Sequence, residues 1–298
     1  MNIGEKIKRL RTQKMMTQSE LAGDQITRNM LSLLEKGKAV PSVQTLVYLA
    51  ERLGVSAGYL LADEQEEGLF LKSEKLHEIR LAYEQKRYGI CLDLCRDLER
   101  AGGKDAELSL IMAECALERG KEELYYDRVR TACLCFDEAA QYASETVYHT
   151  ESIEATVWLY FEYLSEISPS IGSENLDAGN FDAESAKCLS FGDPFCRYLT
   201  ALWLADRGES VERYLAFAYE KTPMLAKHVS ARVHMRAGDF ELASGELGEI
   251  LRGDEWVWGV VLYHVFEDLE TCCRQLNNQK AARQYAEARV EQFEKLMS

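Results

Sequence analysis

Only four prolines occur in 298 residues, at positions 41, 169, 194 and 223. Long runs of chain are therefore free of the residue that removes a backbone donor and breaks a helix interior. Within those runs apolar residues recur three and four positions apart, as at Leu76, Ile79 and Tyr83, and again at Ile90, Leu94 and Leu98. That spacing lines one face of a helix, and strand-like alternation is weak, so the expected fold is all-α.

Local signals define the first helices. Thr17-Gln18-Ser19-Glu20 is a capping box: the Thr17 hydroxyl reaches the Glu20 amide and the Glu20 carboxylate reaches back. Gly23-Asp24 stops that helix after Leu21-Ala22. Thr27 caps a second helix in which Leu31 and Leu34 face inward while Arg28, Asn29 and Ser32 share the opposite side. Two short helices joined by a tight turn form the unit that sets a recognition helix into the DNA major groove. Arg28 and Asn29, in its first turn, carry side chains able to bond guanine and adenine edges through two hydrogen bonds. Thr27, Arg28, Asn29 and Ser32 are thus the expected base-facing set. Arg11, Gln18, Lys36, Lys38 and Ser42 are the expected phosphate contacts, which set register without reading sequence.

These residues carry a resemblance. Ile3 to Arg11, Thr17 to Ala22, Leu34-Glu35-Lys36-Gly37-Lys38, Pro41-Ser42 and Leu46 to Leu61 occur in the order of a Cro/phage-repressor-type helix-turn-helix domain of the Xre family, which residues 3–62 resemble. The turn between Leu21 and Thr27 is a residue shorter than in the phage repressors. The resemblance implies five helices of lambda-repressor type, operator binding on double-stranded DNA and a twofold dimer on a near-palindromic site.

Charge divides the chain in the same place. Residues 1–62 hold nine Lys or Arg and five Asp or Glu, a balance of +4, whereas the whole chain carries −15, leaving −19 on the rest. An acidic surface repels phosphate, so DNA is expected to touch only the small N-terminal domain; the same acidity also serves solubility. The acidic run 63–69 reads as a linker, or as an extension of the fifth helix, between a DNA-binding domain over 1–62 and a helical domain over 70–298.

That larger domain repeats a helix, a short polar turn and a second helix, at Leu81–Tyr88, Cys115–Lys121, Trp203–Glu209, Val233–Phe240 and Cys273–Gln279. Recurrence near thirty residues suits an α-solenoid of stacked hairpins with a concave face. The hairpins resemble degenerate tetratricopeptide repeats, most clearly over Ala231 to Leu251. An irregular stretch, Ser168 to Asn180, reads as a surface connection, a divider of the solenoid or part of a ligand site; Asp177, Asn180 and Asp182 do not match a calcium loop.

Nine cysteines, at 91, 95, 115, 133, 135, 188, 196, 272 and 273, include no Cys-x-x-Cys pair, and no signal peptide precedes them. Buried reduced thiols and a thiol or soft-metal sensor are both open readings; the first is the commoner use of such residues. The five histidines, at 77, 149, 228, 234 and 264, form no metal-ligand or catalytic motif, so neither enzyme activity nor a metal or cofactor is expected. The apolar stretch Trp256 to Phe266 is too short to span a bilayer, and the expected location is the cytoplasm without membrane contact.

An Xre-like domain joined to such repeats resembles the RRNPP peptide-responsive regulators of Gram-positive bacteria. The resemblance implies a homodimer held through the repeats, with a peptide on the concave face altering the spacing of the DNA-binding domains. The alternative is a repeat domain that is a protein-docking or dimerisation scaffold with no small effector.

Overall fold

The computed structural model describes residues 2–62, 67–165, 167 and 193–297. The expected linker residues 63–66, the stretch 168–180 with Asp177 and Asn180, Asp182 and Cys188 lie outside them. Among the described residues there are sixteen α-helices and no strand, and the chain divides into two compact units, Met1–Leu108 and Ser109–Ser298.

In the first unit α1 (Ile3–Gln13), α2 (Gln18–Ala22), α3 (Arg28–Glu35), α4 (Val43–Leu53) and α5 (Ala57–Leu61) form five short helices. Each starts with a side-chain cap: Asn2, Thr17, Thr27, Ser42 and Ser56 accept the amides of Glu5, Glu20, Met30, Thr45 and Tyr59. Short helices have little stability of their own, so these caps and a shared core hold them. Ile7, Leu21, Leu31, Leu34, Leu49, Leu53 and Leu60 expose at most 1% of their surface to solvent in that core. Gly4 lets α1 lie directly on α3, since a Cβ there would sit 2.0 Å from the Leu34 carbonyl oxygen. Lys6 is fully buried, and its ammonium donates to the Tyr59 and Ala62 carbonyls at 3.2 and 2.6 Å, closing the C-terminal end of α5. The unit continues with α6 (Glu67–Glu84), which begins inside the expected linker, and α7 (Tyr88–Arg100).

The remaining helices are α8 (Ala106–Tyr125), α9 (Val129–Ser144), α10 (Glu151–Leu164), α11 (Pro194–Arg207), α12 (Glu212–Lys221), α13 (Pro223–Ala237), α14 (Phe240–Arg252), α15 (Gly259–Gln275) and α16 (Gln279–Met297). Several helix pairs close with one turn design. Lys86, Asp127, Gly238 and Asn277 all have positive φ, between 56° and 85°. At each, the residue's amide and the next amide reach back to two carbonyls of the preceding helix, as Asp127 to Leu124 and Arg128 to Glu123 at 3.0 and 2.9 Å. Gly208 closes α11 in the same way, 30 residues before Gly238 as the sequence spacing suggests, whereas Lys86 and Asp127 are 41 residues apart and Gly238 and Asn277 39 apart.

The second expected turn is corrected by this pattern. Residues 118–120 continue α8, and the chain reverses at Asp127. Gly120 is a packing notch instead: the Phe136 ring of α9 lies 2.5 Å from where a Cβ would be. All eight described cysteines are buried thiols. Burial pushes the Cys133 thiol up to about 11 and those of Cys196 and Cys272 up to about 12, which suppresses thiolate chemistry. Among the described residues no helix is long and apolar enough to cross a membrane.

Candidate functional site

The helix pair α2/α3 is held from behind by a buried ion pair. Glu35, at the end of α3, accepts Arg11 Nε at 2.6 Å and Nη2 at 3.1 Å, and also Gln18 Nε2 at 2.8 Å. Arg11 Nη1 donates to the Met16 carbonyl at 2.8 Å. Three elements thereby converge on one carboxylate. Burial opposes its ionisation, but hydrogen bonds from Arg11 and Gln18, with the Arg11 and Lys8 charges, outweigh that and hold Glu35 below the usual carboxylate range. From the other side α4 fastens the end of α2: Tyr48 Oη donates to Ala22 O at 3.0 Å and Arg52 Nη2 to Glu20 O at 2.6 Å. Gly23 follows with φ 53°, its missing Cβ leaving room for the Tyr48 hydroxyl, which would lie 2.2 Å away.

This geometry sorts the residues singled out in the sequence. Thr27, Arg28, Asn29, Lys36, Lys38 and Ser42 are exposed, and Ser32 is half-buried. Arg11 and Gln18 are not grouped with them, because the Arg11 guanidinium bonds entirely within the fold and the Gln18 amide is tied to Glu35. Nor do all the basic residues of this region contribute free positive surface: Lys6 is buried, Arg9 donates to Tyr59 Oη at 2.8 Å and Arg52 to a carbonyl. The positive groups on α3 and just beyond it are Arg28, Lys36 and Lys38. Met30 and Leu33 also reach solvent from α3, 36% and 45% exposed, so its outer face mixes hydrogen-bonding and apolar groups.

The second unit holds a pocket of about 450 Å³ between α10, α11, α13 and α15. A buried polar chain underlies it. Asp268 accepts from Arg232 Nε and from His228 Nε2, the latter at 2.9 Å. His228 Nδ1 meets Tyr198 Oη at 2.6 Å, and Tyr198 Oη meets Tyr163 Oη at 3.2 Å. Burial lowers the affinity of His228 for a second proton and keeps the ring neutral. Burial also opposes ionisation of Asp268, yet Arg232 and His228 overcome this and hold it below the usual range. An ionised Asp268 requires the proton on His228 Nε2, so Nδ1 accepts and Tyr198 donates. At the mouth, Arg207 lies over the Trp203 ring, 3.8 Å from its centroid, and Arg232 Nη1 approaches the Asp206 carboxylate at 3.4 Å. None of this network was visible in the sequence, where the histidines read as scattered.

Residues 7–60 match the helix-turn-helix family, and the five N-terminal helices are a domain of that kind. No curated protein matches the chain. Three solved structures align over nearly the whole length. Bacillus thuringiensis PlcR, in complex with the peptide PapR7 and DNA, is 12% identical, with 99% of this chain and 95% of that one covered and a TM-score of 0.23. ComR from S. thermophilus, in complex with DNA and its signalling peptide ComS, is 14% identical, with 98% and 99% covered and a TM-score of 0.23. The apo competence regulator ComR from Streptococcus vestibularis is 15% identical, with 97% of each chain covered and a TM-score of 0.23.

Proposed function

We propose that the chain is a sequence-specific DNA-binding transcriptional regulator, with residues 1–62 as the DNA-binding domain, 63–69 as the linker and 70–298 as a repeat domain that dimerises and senses a peptide. The observation that carries this reading is the outer face of α3: Arg28 and Asn29 are exposed in its first turn, on a helix fixed from behind by the Arg11–Glu35 pair. Thr27, Arg28, Asn29 and Ser32 face the bases, while Lys36, Lys38 and Ser42 hold phosphates; Ser42 lies at the N-terminus of α4, where backbone amides favour an anion. An effector in the pocket of the second unit acts by preferring one arrangement of the dimer over another, which shifts the fraction able to fit the operator.

Purified full-length protein incubated with fragmented genomic DNA, followed by sequencing of what it retains, tests the reading. Enrichment of a near-palindromic site by the wild type, lost in an Arg28→Ala/Asn29→Ala variant of unchanged helicity, is the expected result. Unchanged site preference in that variant removes α3 from the recognition role. A second reading, a docking or dimerisation scaffold without a small effector, is favoured by one observation. Tyr125, Tyr126 and Trp256 are 49%, 66% and 55% exposed and lie ring against ring, an aromatic group of the sort that protein interfaces use.

A further inference from the structure

The pocket of the second unit is lined by four carboxylates, those of Glu162, Asp206, Glu267 and Asp268, and by two cationic side chains, Arg207 and Arg232. Both cations are engaged. Arg207 is stacked on Trp203, and Arg232 lies between Asp268 and Asp206. Two of the acids are answered as well: Glu267 by Arg289 at 2.6 Å, and Asp268 by Arg232 and His228. Four carboxylates therefore stand against three guanidiniums, those of Arg207, Arg232 and Arg289, an excess of one negative charge, and Glu162 and Asp206 are the carboxylates least engaged. Glu162 is exposed and has no ion pair among the described residues. The Asp206 carboxylate is 46% exposed, with Arg232 no nearer than 3.4 Å. The Tyr163 ring supplies an apolar wall that suits the methylene stem of a long side chain.

We infer that this pocket binds a cationic side chain, a lysine ammonium or an arginine guanidinium, presented by a short peptide and held by Glu162 and Asp206. This deepens the sensing role proposed above and rests on it for the peptide, whereas the charge preference rests on the pocket alone. An acidic residue at the same position meets two carboxylates and finds only Arg207, already stacked on Trp203, so discrimination by charge follows.

The test uses full-length protein carrying 5-fluorotryptophan. Its four signals arise from Trp158, Trp203, Trp256 and Trp258, and Trp203→Phe assigns the one beside the pocket. Three probes differ at one position: Ac-Gly-Leu-Lys-Phe-Gly-NH2 and its Glu and norleucine counterparts. The Lys peptide is expected to shift the Trp203 signal with at least tenfold tighter binding than the Glu peptide. A Glu162→Gln/Asp206→Asn variant, both of whose sites are exposed, is expected to bring that ratio close to one. Equal or tighter binding of the Glu peptide overturns the inference. So does an undiminished Lys preference in the double variant, or no response of Trp203 to any of the three. Cadaverine is titrated separately; a shift as strong as that from the Lys peptide supports the cation site and assigns it to a free amine. The readout does not involve DNA, so failure of the operator experiment and failure of this one are told apart.

Discussion

Arg11 and Glu35 bond to each other through two nitrogens and both carboxylate oxygens, at 2.6 and 3.1 Å, with 12% and 3% of their side chains exposed. Removing one partner leaves the other charge buried without compensation, whereas replacing both by apolar residues of similar size does not. Arg11→Ala is expected to lower the stability of the first unit by about 3 kcal/mol, and Arg11→Met/Glu35→Leu to recover most of that loss. Hydrogen exchange at the α1 and α3 amides measures it; equal losses in the two variants would mean that packing, not charge, governs the site. Because Glu35 is held below its ordinary 4.5, the stability it contributes is present above that value and disappears as pH falls through the folded pKa.

Gly4 predicts a steric result. Gly4→Ala places a methyl 2.0 Å from the Leu34 carbonyl oxygen, forcing α1 away from α3 at a cost of about 2 kcal/mol. Gly102→Ala meets nothing within 4 Å, and its φ of 83° alone costs about 1 kcal/mol. Exchange protection in α3 is expected to fall in the first variant and stay in the second.

Lys38→Ala is expected to weaken binding to all DNA sequences and to reduce the slope of log K against log salt by about 0.9, the signature of one lost phosphate contact. Titration of an operator and a scrambled duplex at several salt concentrations checks this. A change in preference between the two duplexes with an unchanged slope would place Lys38 on a base.

His228 predicts a pH dependence in the second unit. Its folded pKa lies below the ordinary 6.5, chiefly through burial, so the unfolded chain takes up a proton that the folded one refuses. Its contribution to stability is complete above about 6.5 and falls as pH drops through that value. Urea midpoints followed by tryptophan fluorescence are expected to decline between pH 7.5 and 5.5. His228→Gln lowers the midpoint at pH 7.5 and flattens the decline; an equally steep decline in the variant would assign it to other groups.

Signals carried by neighbouring residues were legible in the sequence. The Thr17–Glu20 capping box, the Thr27 cap and the inward Leu31 and Leu34 are all present where local spacing puts them. Contacts between distant residues were not. Arg11 and Gln18 read as surface groups because their partner, Glu35, lies 24 and 17 positions away. The turn after α8 was misplaced for a related reason: Gly120 has the composition of a turn, but the positive φ belongs to Asp127, and Gly120 is small to admit Phe136. His228 and Asp268, 40 positions apart, give no hint of one another along the chain.

Lys6 has one more consequence. Its ammonium is clasped by two carbonyls and closed off from solvent, while Lys8, Lys36 and Lys38 in the same unit stand in water. A reagent that acylates amines marks those lysines at once and reaches Lys6 only when α1 parts from α5. The rate at which Lys6 is labelled therefore counts the spontaneous openings of the first unit, a clock placed in the fold at its sixth residue.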